Sequence, residues 1–168
     1  MNSVKSLFSF PNPANDVAAR MVAAMVIVMA LAVLVFDETW VLFIMTYGFL
    51  ARVASGPRFS PAGLLATRVI VPFFKIPERP VPGPPKRFAQ GIGLVFTSSA
   101  LVLHFVFGLT FAAKALLAVL LVFASLEAFL AFCAGCFVFN LLIRWHLLPE
   151  SICRECVFRP DPGLVADR

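Results

Sequence analysis

Four cysteines are the residues in this sequence whose type and spacing could support chemistry. They form two Cys-x-x-Cys pairs, one of Cys133 and Cys136 and one of Cys153 and Cys156. Residues 137–152 separate the pairs, a distance within the range of four-cysteine metal sites. Cysteines three apart on a helix share a face, which brings their Cα atoms into the range of about 4.4–6.8 Å that a disulfide bridges. The pattern therefore permits a disulfide within the first pair and also a metal bound by both pairs.

Three interpretations of the cysteines follow from the spacing. In the first, each pair is a dithiol that cycles through a disulfide or carries sulfur, and it exchanges electrons with the other pair or with a soluble partner. In the second, all four thiolates bind a tetrahedral zinc ion that ties the tail to the base of the preceding helix. In the third, the cysteines only pack as small apolar side chains. Two exact pairs in one short chain argue against the third interpretation.

The composition indicates that lipid is the solvent for most of the chain. Hydrophobic residues make up 61% of the sequence, against about 45–50% in soluble domains, and only 14% of residues are charged. The charges cluster between long uncharged runs, which predicts an all-α membrane protein. The runs place four transmembrane helices at about 17–36, 39–54, 88–108 and 115–143. The second run is short, so it crosses only if Trp40 lies at one interface and Arg52 snorkels to the other.

Polar and proline-rich segments connect these spans. Asn15 or Asp16 is expected to cap the first helix. Ser60 is expected to cap a short surface helix over 62–71, which Pro72 ends. The chain therefore divides into a cytoplasmic lead-in, a four-helix membrane domain with a proline-rich basic loop, and a cytoplasmic tail, at 1–16, 17–148 (the loop at 55–87) and 149–168.

The formal charge of +5 is explained by membrane topology. Half of the fourteen basic residues fall in the segment from Arg52 to Arg87, which ends the second span and forms the loop after it. Such an excess of cations marks a cytoplasmic loop, so we expect both termini in the cytoplasm and the protein in the inner membrane. Nucleic-acid binding is not expected, because no aromatic-interleaved basic face accompanies the charge. The cations of this loop are Arg52, Arg58, Arg68, Lys75, Arg79, Lys86 and Arg87.

Cys133 and Cys136 are expected near the cytoplasmic, carboxyl end of the last span. The partial negative charge at that end of a helix opposes a thiolate, so nearby cations would have to stabilise it. Arg58, Lys86 and Arg87 form a basic surface that could reach the thiols, although contact with lipid headgroups is the ordinary role of such cations.

One acid, Glu127, falls inside a predicted span and therefore needs a partner in the bundle interior. Arg20, near the cytoplasmic end of the first span, is the natural partner, and the expected contact is a buried Arg20–Glu127 ion pair. On a continuous last helix, Glu127 lies about 180° from Cys136, so it is not expected to act on the thiols. The other polar residues of the spans are too scattered to line a pore, and a channel would need a homo-oligomer.

Small residues in the third span indicate close helix packing. The Gly91-Ile92-Gly93 segment lacks the third glycine and the preceding strand of a dinucleotide site. Ala89 and Gly93 are four residues apart and therefore face the same side of the helix.

Several motifs of the chain resemble a known family. They are Gly-Pro-Arg-Phe-Ser-Pro at 56–61, Pro-Gly-Pro-Pro-Lys-Arg-Phe-Ala-Gln at 82–90, the acid and cysteines of the last span, and the tail pair. Together they resemble the bacterial membrane family catalogued as domain of unknown function 4395, over about residues 14–157. Members of that family often neighbour thioredoxin-like and rhodanese-like sulfurtransferase proteins. The resemblance therefore implies thiol or sulfur chemistry at Cys133, Cys136, Cys153 and Cys156, with such a protein as a partner.

Overall fold

Helices account for nearly all of the structure. A computed structural model describes residues 13–74, 77 and 79–145. Within this part of the chain, the only extended pairing is a two-residue ladder, so the all-α prediction is confirmed. Cys153 and Cys156 lie outside the described residues, and the predicted tail stays a prediction.

Within the described residues, six helices, one 3₁₀ turn at Gly56–Arg58 and two short strands follow one another. The helices are α1 (Asp16–Phe36), α2 (Val41–Ser55), α3 (61–73), α4 (Gly83–Phe105), α5 (Thr110–Leu130) and α6 (Ala134–Arg144), and the strands are β1 (Ala14–Asn15) and β2 (Pro80–Val81). Three of the helices, α1, α4 and α5, are long and apolar enough to span a membrane. The fourth predicted span, α2, has 15 residues and is shorter than the ~20 residues that a full crossing usually takes.

The helices form one bundle around an apolar core. The most extensive contacts are between α1 and α5, between α2 and α4, and between α4 and α5. Leu42, Met45 and Leu117 are almost fully buried at the centre. Large apolar side chains also cover the outside of the bundle; Phe111 is 86% exposed and Phe129 is 76% exposed. An outer surface of this kind is expected where lipid surrounds the helices.

The start of α1 is fixed by a cap and by the β1–β2 ladder. The Asn15 side chain accepts hydrogen bonds from the amides of Val17 and Ala18, at 3.0 and 3.4 Å, so the predicted cap is confirmed at Asn15. β1 pairs antiparallel with β2, and the Asp16 amide donates to the Arg79 carbonyl at 2.9 Å. The ladder brings the first turns of α1 and α4 side by side.

The connection between α2 and α4 contains the predicted surface helix in altered form. Ser60 caps it, since its Oγ accepts from the Gly63 amide at 3.3 Å. The helix does not stop at Pro72 but continues to Phe73, through π-helical turns at Leu65–Ile70. The wider π turns, in which the Val71 amide donates to the Ala66 carbonyl, move the preceding carbonyls out of the way of the proline ring.

The last predicted span is the largest difference between the prediction and the structure. A single helix was expected over 115–143, but α5 ends at Leu130 and α6 starts at Ala134. Ala131 takes the left-handed conformation, with φ of 55°, and its amide donates to the Leu126 carbonyl. The Phe132 amide donates to the same carbonyl at 3.1 Å. The two helices are therefore separate elements, joined by a turn of three residues.

Candidate functional site

Cys133 and Cys136 form a disulfide at the start of α6. Their Cα atoms are 5.2 Å apart. Cys133 is the N-cap residue of the helix, and its Sγ accepts a hydrogen bond from the Cys136 amide at 3.2 Å. Both residues are half-buried. The prediction that this pair can bridge is thus confirmed.

The helix break reverses the electrostatics expected at the cysteines. The sequence places them near the carboxyl end of a long helix, but the structure places them at the amino end of a new one. Free amides and the helix dipole give an amino end partial positive charge, which stabilises a thiolate. No surface cation is needed for that purpose.

The backbone of the turn between α5 and α6 is strained, and the packing of α6 against α4 stabilises this conformation. A left-handed alanine costs about 1–2 kcal/mol relative to the right-handed conformation. On the other side of the turn, Gly135 packs directly on α4, where an added Cβ would lie 2.6 Å from the Ala89 Cα. The ring of Phe139 lies 5.5 Å from that of Phe88, and Phe139 is 5% exposed. These contacts hold the cysteine-bearing end of α6 against the first turns of α4.

Lys86 joins two acids at the same end of the bundle. Its Nζ lies 2.8 Å from Oδ1 of Asp16 and 2.8 Å from Oε1 of Glu127. The side chains are 7%, 16% and 14% exposed, respectively. The ammonium is therefore compensated by two carboxylates, as a buried charge requires.

These contacts correct two predictions. Glu127 pairs with Lys86, whereas the predicted partner, Arg20, donates to the Ala128 carbonyl from Nε at 3.3 Å and from Nη2 at 3.1 Å. Lys86 was also expected on a basic surface, but it lies inside the bundle. Both differences have one cause: α4 starts at Gly83, five residues before the predicted span, so Lys86 occupies a helical position that faces α1 and α5.

A cleft of about 360 Å³ connects this ion cluster with the disulfide. The β2 strand and the first turn of α4 form one wall, and the start of α6 forms the other. A smaller cavity is lined by both Glu127 and Cys133, whereas Cys136 is not among its lining residues. The cleft is lined by Asp16, Val81, Pro82, Pro85, Lys86, Ala131, Phe132, Cys133, Cys136, Phe137 and Asn140.

The sequence profile of a family described as Domain of unknown function (DUF4395) matches residues 14–144. The chain belongs to this family. The match includes the first cysteine pair and the whole ion cluster of this DUF4395 member, whereas the tail pair follows the matched region. A search of curated proteins and a search of solved structures each found no match.

The other basic residues have separate roles. Arg58 and Arg87 are exposed, as predicted, and Arg87 Nε donates to the Val53 carbonyl at 2.8 Å. Arg52 does not snorkel but is 5% exposed, with Nε 2.7 Å from Oε1 of Gln90 and the guanidinium 4.4 Å above the Phe49 ring. It joins α2 to α4 without contact with the disulfide cleft.

Asp16 is the site residue that sequence analysis missed, because it was considered only as a cap. Its position directly after the Asn15 cap places it in the first turn of α1, where a carboxylate is favoured by the helix dipole. The described residues contain no group of three metal-binding side chains. A zinc site therefore needs the tail pair, and it stays a prediction.

Proposed function

We propose that this chain is a membrane component of thiol–disulfide exchange, with Cys133 and Cys136 as the redox pair and a soluble thioredoxin-like protein as the partner. The observation that carries the proposal is the disulfide in the first turn of α6, with the Cys133 sulfur on the Cys136 amide. A helix amino end favours the thiolate that exchange requires. Lys86 lines the same cleft, but Asp16 and Glu127 offset its charge, so the helix start alone carries this argument.

The exchange moves two electrons and two protons. A thiolate of the partner attacks one sulfur of the Cys133–Cys136 disulfide, so that a mixed disulfide forms and the other cysteine leaves as a thiolate. The second thiolate of the partner then attacks the partner's own sulfur in the mixed disulfide. The partner's disulfide forms, and the bound cysteine of this chain leaves as a thiolate. The two chain thiolates take up the protons that the partner's thiols have lost. In the reverse direction, Cys133 attacks and Cys136 resolves the mixed disulfide.

The tail pair is proposed as a second dithiol that exchanges with the first. Cys153 follows Trp145 by eight residues in the sequence, which span at most about 29 Å of extended chain. This tether gives the pairs a high effective concentration for each other.

The proposed topology has four spans with both termini in the cytoplasm. The support is the basic loop between α2 and α4, together with three helices of spanning length. As the fourth span, α2 would have Trp40 at its outer end, and its short length would be met by local thinning of the bilayer. The redox pair would then face the cytoplasmic side.

The reactivity of Cys133 tests the proposal on a background in which both tail cysteines are serine. We expect the Cys136→Ser variant, which keeps Cys133, to react with an aromatic disulfide reagent about tenfold faster at pH 7 than the Cys133→Ser variant, because only Cys133 caps the helix. The measurement is the release of the coloured thiolate. Equal rates would mean that the helix start does not activate Cys133.

Reduction by a partner is tested on the oxidised tail-serine protein, which keeps Cys133 and Cys136. Reduced thioredoxin should generate two alkylatable thiols per chain, counted by mass after maleimide labelling. A chain that dithiothreitol reduces but thioredoxin does not would contradict the proposed partner. In the full-length protein, one tightly bound zinc per chain with thiols that resist oxidation would favour the four-cysteine metal site instead.

A further inference from the structure

We propose that the cleft beside the disulfide binds a lipid-soluble quinone, which accepts two electrons from the Cys133/Cys136 dithiol. This inference rests on the proposed function, because it names the electron acceptor of the same redox pair. Three features carry it: the volume and lining of the cleft, its continuity with the apolar outer surface, and a buried ammonium that lines the same cleft as the sulfurs.

The cleft has the size and lining of a site for a small, mostly apolar ring. Its volume of about 360 Å³ is within the range of about 300–1,000 Å³ that small-molecule sites occupy. Pro82 and Pro85 line one side, and Phe132 and Phe137 line the other. The two aromatic rings are 6.0 Å apart and tilted, so that each can present a face or an edge to a flat ligand.

The cleft is continuous with the apolar exterior of the bundle. Phe132 is 44% exposed and Phe137 is 57% exposed, so both side chains belong to the cleft and to the outer surface. Leu130, just before the turn, is 70% exposed. A ligand dissolved in the lipid phase can therefore reach the disulfide along apolar surface, without passing through the polar cluster.

Lys86 supplies the polar contact that orients a quinone. Among the described residues, Asp16 and Glu127 take two of the three N–H donors of its ammonium. The remaining donor suits a carbonyl oxygen in the cleft, and it becomes stronger as that oxygen gains negative charge. A lipid acyl chain would contact the apolar walls alone, because it has no acceptor for the Lys86 ammonium.

The reaction balances without any further reactant. A cysteine thiolate forms a C–S bond to the quinone ring, and the electron pair of the ring π bond that breaks is taken up by the carbonyl oxygen that Lys86 contacts. The second thiolate then attacks the bound sulfur, which forms the Cys133–Cys136 disulfide and releases the reduced ring. The two protons of the dithiol end on the two oxygens of the quinol. Thus one dithiol and one quinone give one disulfide and one quinol.

The test uses the tail-serine protein in detergent, reduced and freed of reductant, with decylubiquinone as the probe. We expect loss of quinone absorbance with a stoichiometry of one quinone per two thiols lost, and no such turnover in the Cys136→Ser variant. Phe137→Trp should fill part of the cleft and raise the quinone concentration at half-maximal rate at least about tenfold. The matched control is Phe111→Trp, on the exposed face of α5 and away from the cleft. This variant should leave the quinone concentration at half-maximal rate unchanged.

The outcomes separate the two proposals. If the protein exchanges with thioredoxin but does not reduce decylubiquinone, the quinone inference is wrong and the proposed function stands. If neither reaction occurs, both fail. Binding is followed separately in the oxidised protein with a photoreactive azidoquinone, which should label residues 131–140 and be displaced by decylubiquinone. Equal displacement by phospholipid would identify the cleft as a lipid groove and overturn the inference.

Discussion

At Lys86, a buried ammonium is held by carboxylates from two different helices. Asp16 comes from the start of α1 and Glu127 from the last turn of α5, so the cluster ties three helices together at one end of the bundle. A buried ion pair contributes little relative to apolar packing, but removal of one partner leaves an uncompensated charge. Substitution of one residue of the cluster alone is therefore expected to lower the stability of the protein.

The first prediction concerns the coupling between Lys86 and Glu127. Lys86→Met should lower stability in detergent by about 3 kcal/mol, because it leaves two buried carboxylates without a cation. Glu127→Gln should cost less, because Asp16 still pairs with the ammonium, and the double variant should lose clearly less than the sum. The measurement is unfolding in detergent monitored by circular dichroism. Arg20→Gln is the matched control: because Arg20 contacts a carbonyl, its effect should add to that of Glu127→Gln. Coupling with Arg20 and additivity with Lys86 would contradict the observed pairing.

The residue types of the site could be predicted, but their partners could not. Cys133, Cys136 and Glu127 are conspicuous in an apolar run, and each occurs at the site. The partner of Glu127 was missed because the prolines before Lys86 were taken as the end of a connector. In the structure, Pro84 and Pro85 lie in the first turn of α4. The amides of a first turn have no partner within the helix, so the N–H that proline lacks is not needed there. Five more helical residues move Lys86 from the expected surface into the bundle.

At the scale of the helices, uninterrupted apolar runs predict where helices lie but not where they break. The first predicted span agrees with α1 to within one residue. The break at 131–133 has no glycine at the left-handed position and no proline, so no sequence signal marks it. It is stabilised by tertiary contacts instead, chiefly the approach of Gly135 to Ala89. The spacing of apolar residues along the sequence does not predict tertiary contacts of this kind.

The second prediction uses two neighbouring glycines of α4 that have opposite surroundings. A Cβ on Gly93 would lie 2.2 Å from Cε1 of Phe49, whereas a Cβ on Gly91 would meet nothing within 4 Å. Gly93→Ala should therefore cost about 1–3 kcal/mol of stability by overpacking. Gly91→Ala should be neutral or stabilise by up to about 1 kcal/mol, because alanine favours the helix.

Thermal unfolding in detergent distinguishes the two glycine variants. A further variant identifies the cause: in a Phe49→Ala background the ring is absent, and Gly93→Ala should lose most of its penalty. If Gly93→Ala stays as harmful there, then α2 and α4 do not approach each other at this point.

At the scale of the whole molecule, most charged groups of the described residues lie at one end of the bundle. The ion cluster, the disulfide, Arg52 and Arg87 all lie where α2 ends and α4 begins. The opposite end has the short turn between α1 and α2, with Asp37 paired to Lys114 of α5. Sequence analysis predicted this asymmetry from the charge of the loop, since clustered cations are visible without knowledge of the packing.

The third prediction concerns orientation. In a variant without native cysteines, expressed in intact bacterial cells, a membrane-impermeant maleimide should label Thr110→Cys and spare Arg68→Cys until the cells are opened. Both positions are exposed in the structure, so a difference reports the side of the membrane and not burial. Labelling of Arg68→Cys in intact cells would place the Cys133–Cys136 disulfide on the outer face.

The spread of the ion cluster along the sequence sets the order of its assembly during synthesis. Asp16 is made first, and Glu127 follows Lys86 by 41 residues. The Lys86 ammonium therefore has one of its two carboxylates until α5 has been inserted. The cysteine-bearing helix α6 is made later still, and it docks on turns of α4 that are already in place. A chain that stalls before α6 would lack this sulfur pair entirely, so the Cys133–Cys136 disulfide can form only in a protein whose other helices have already been made.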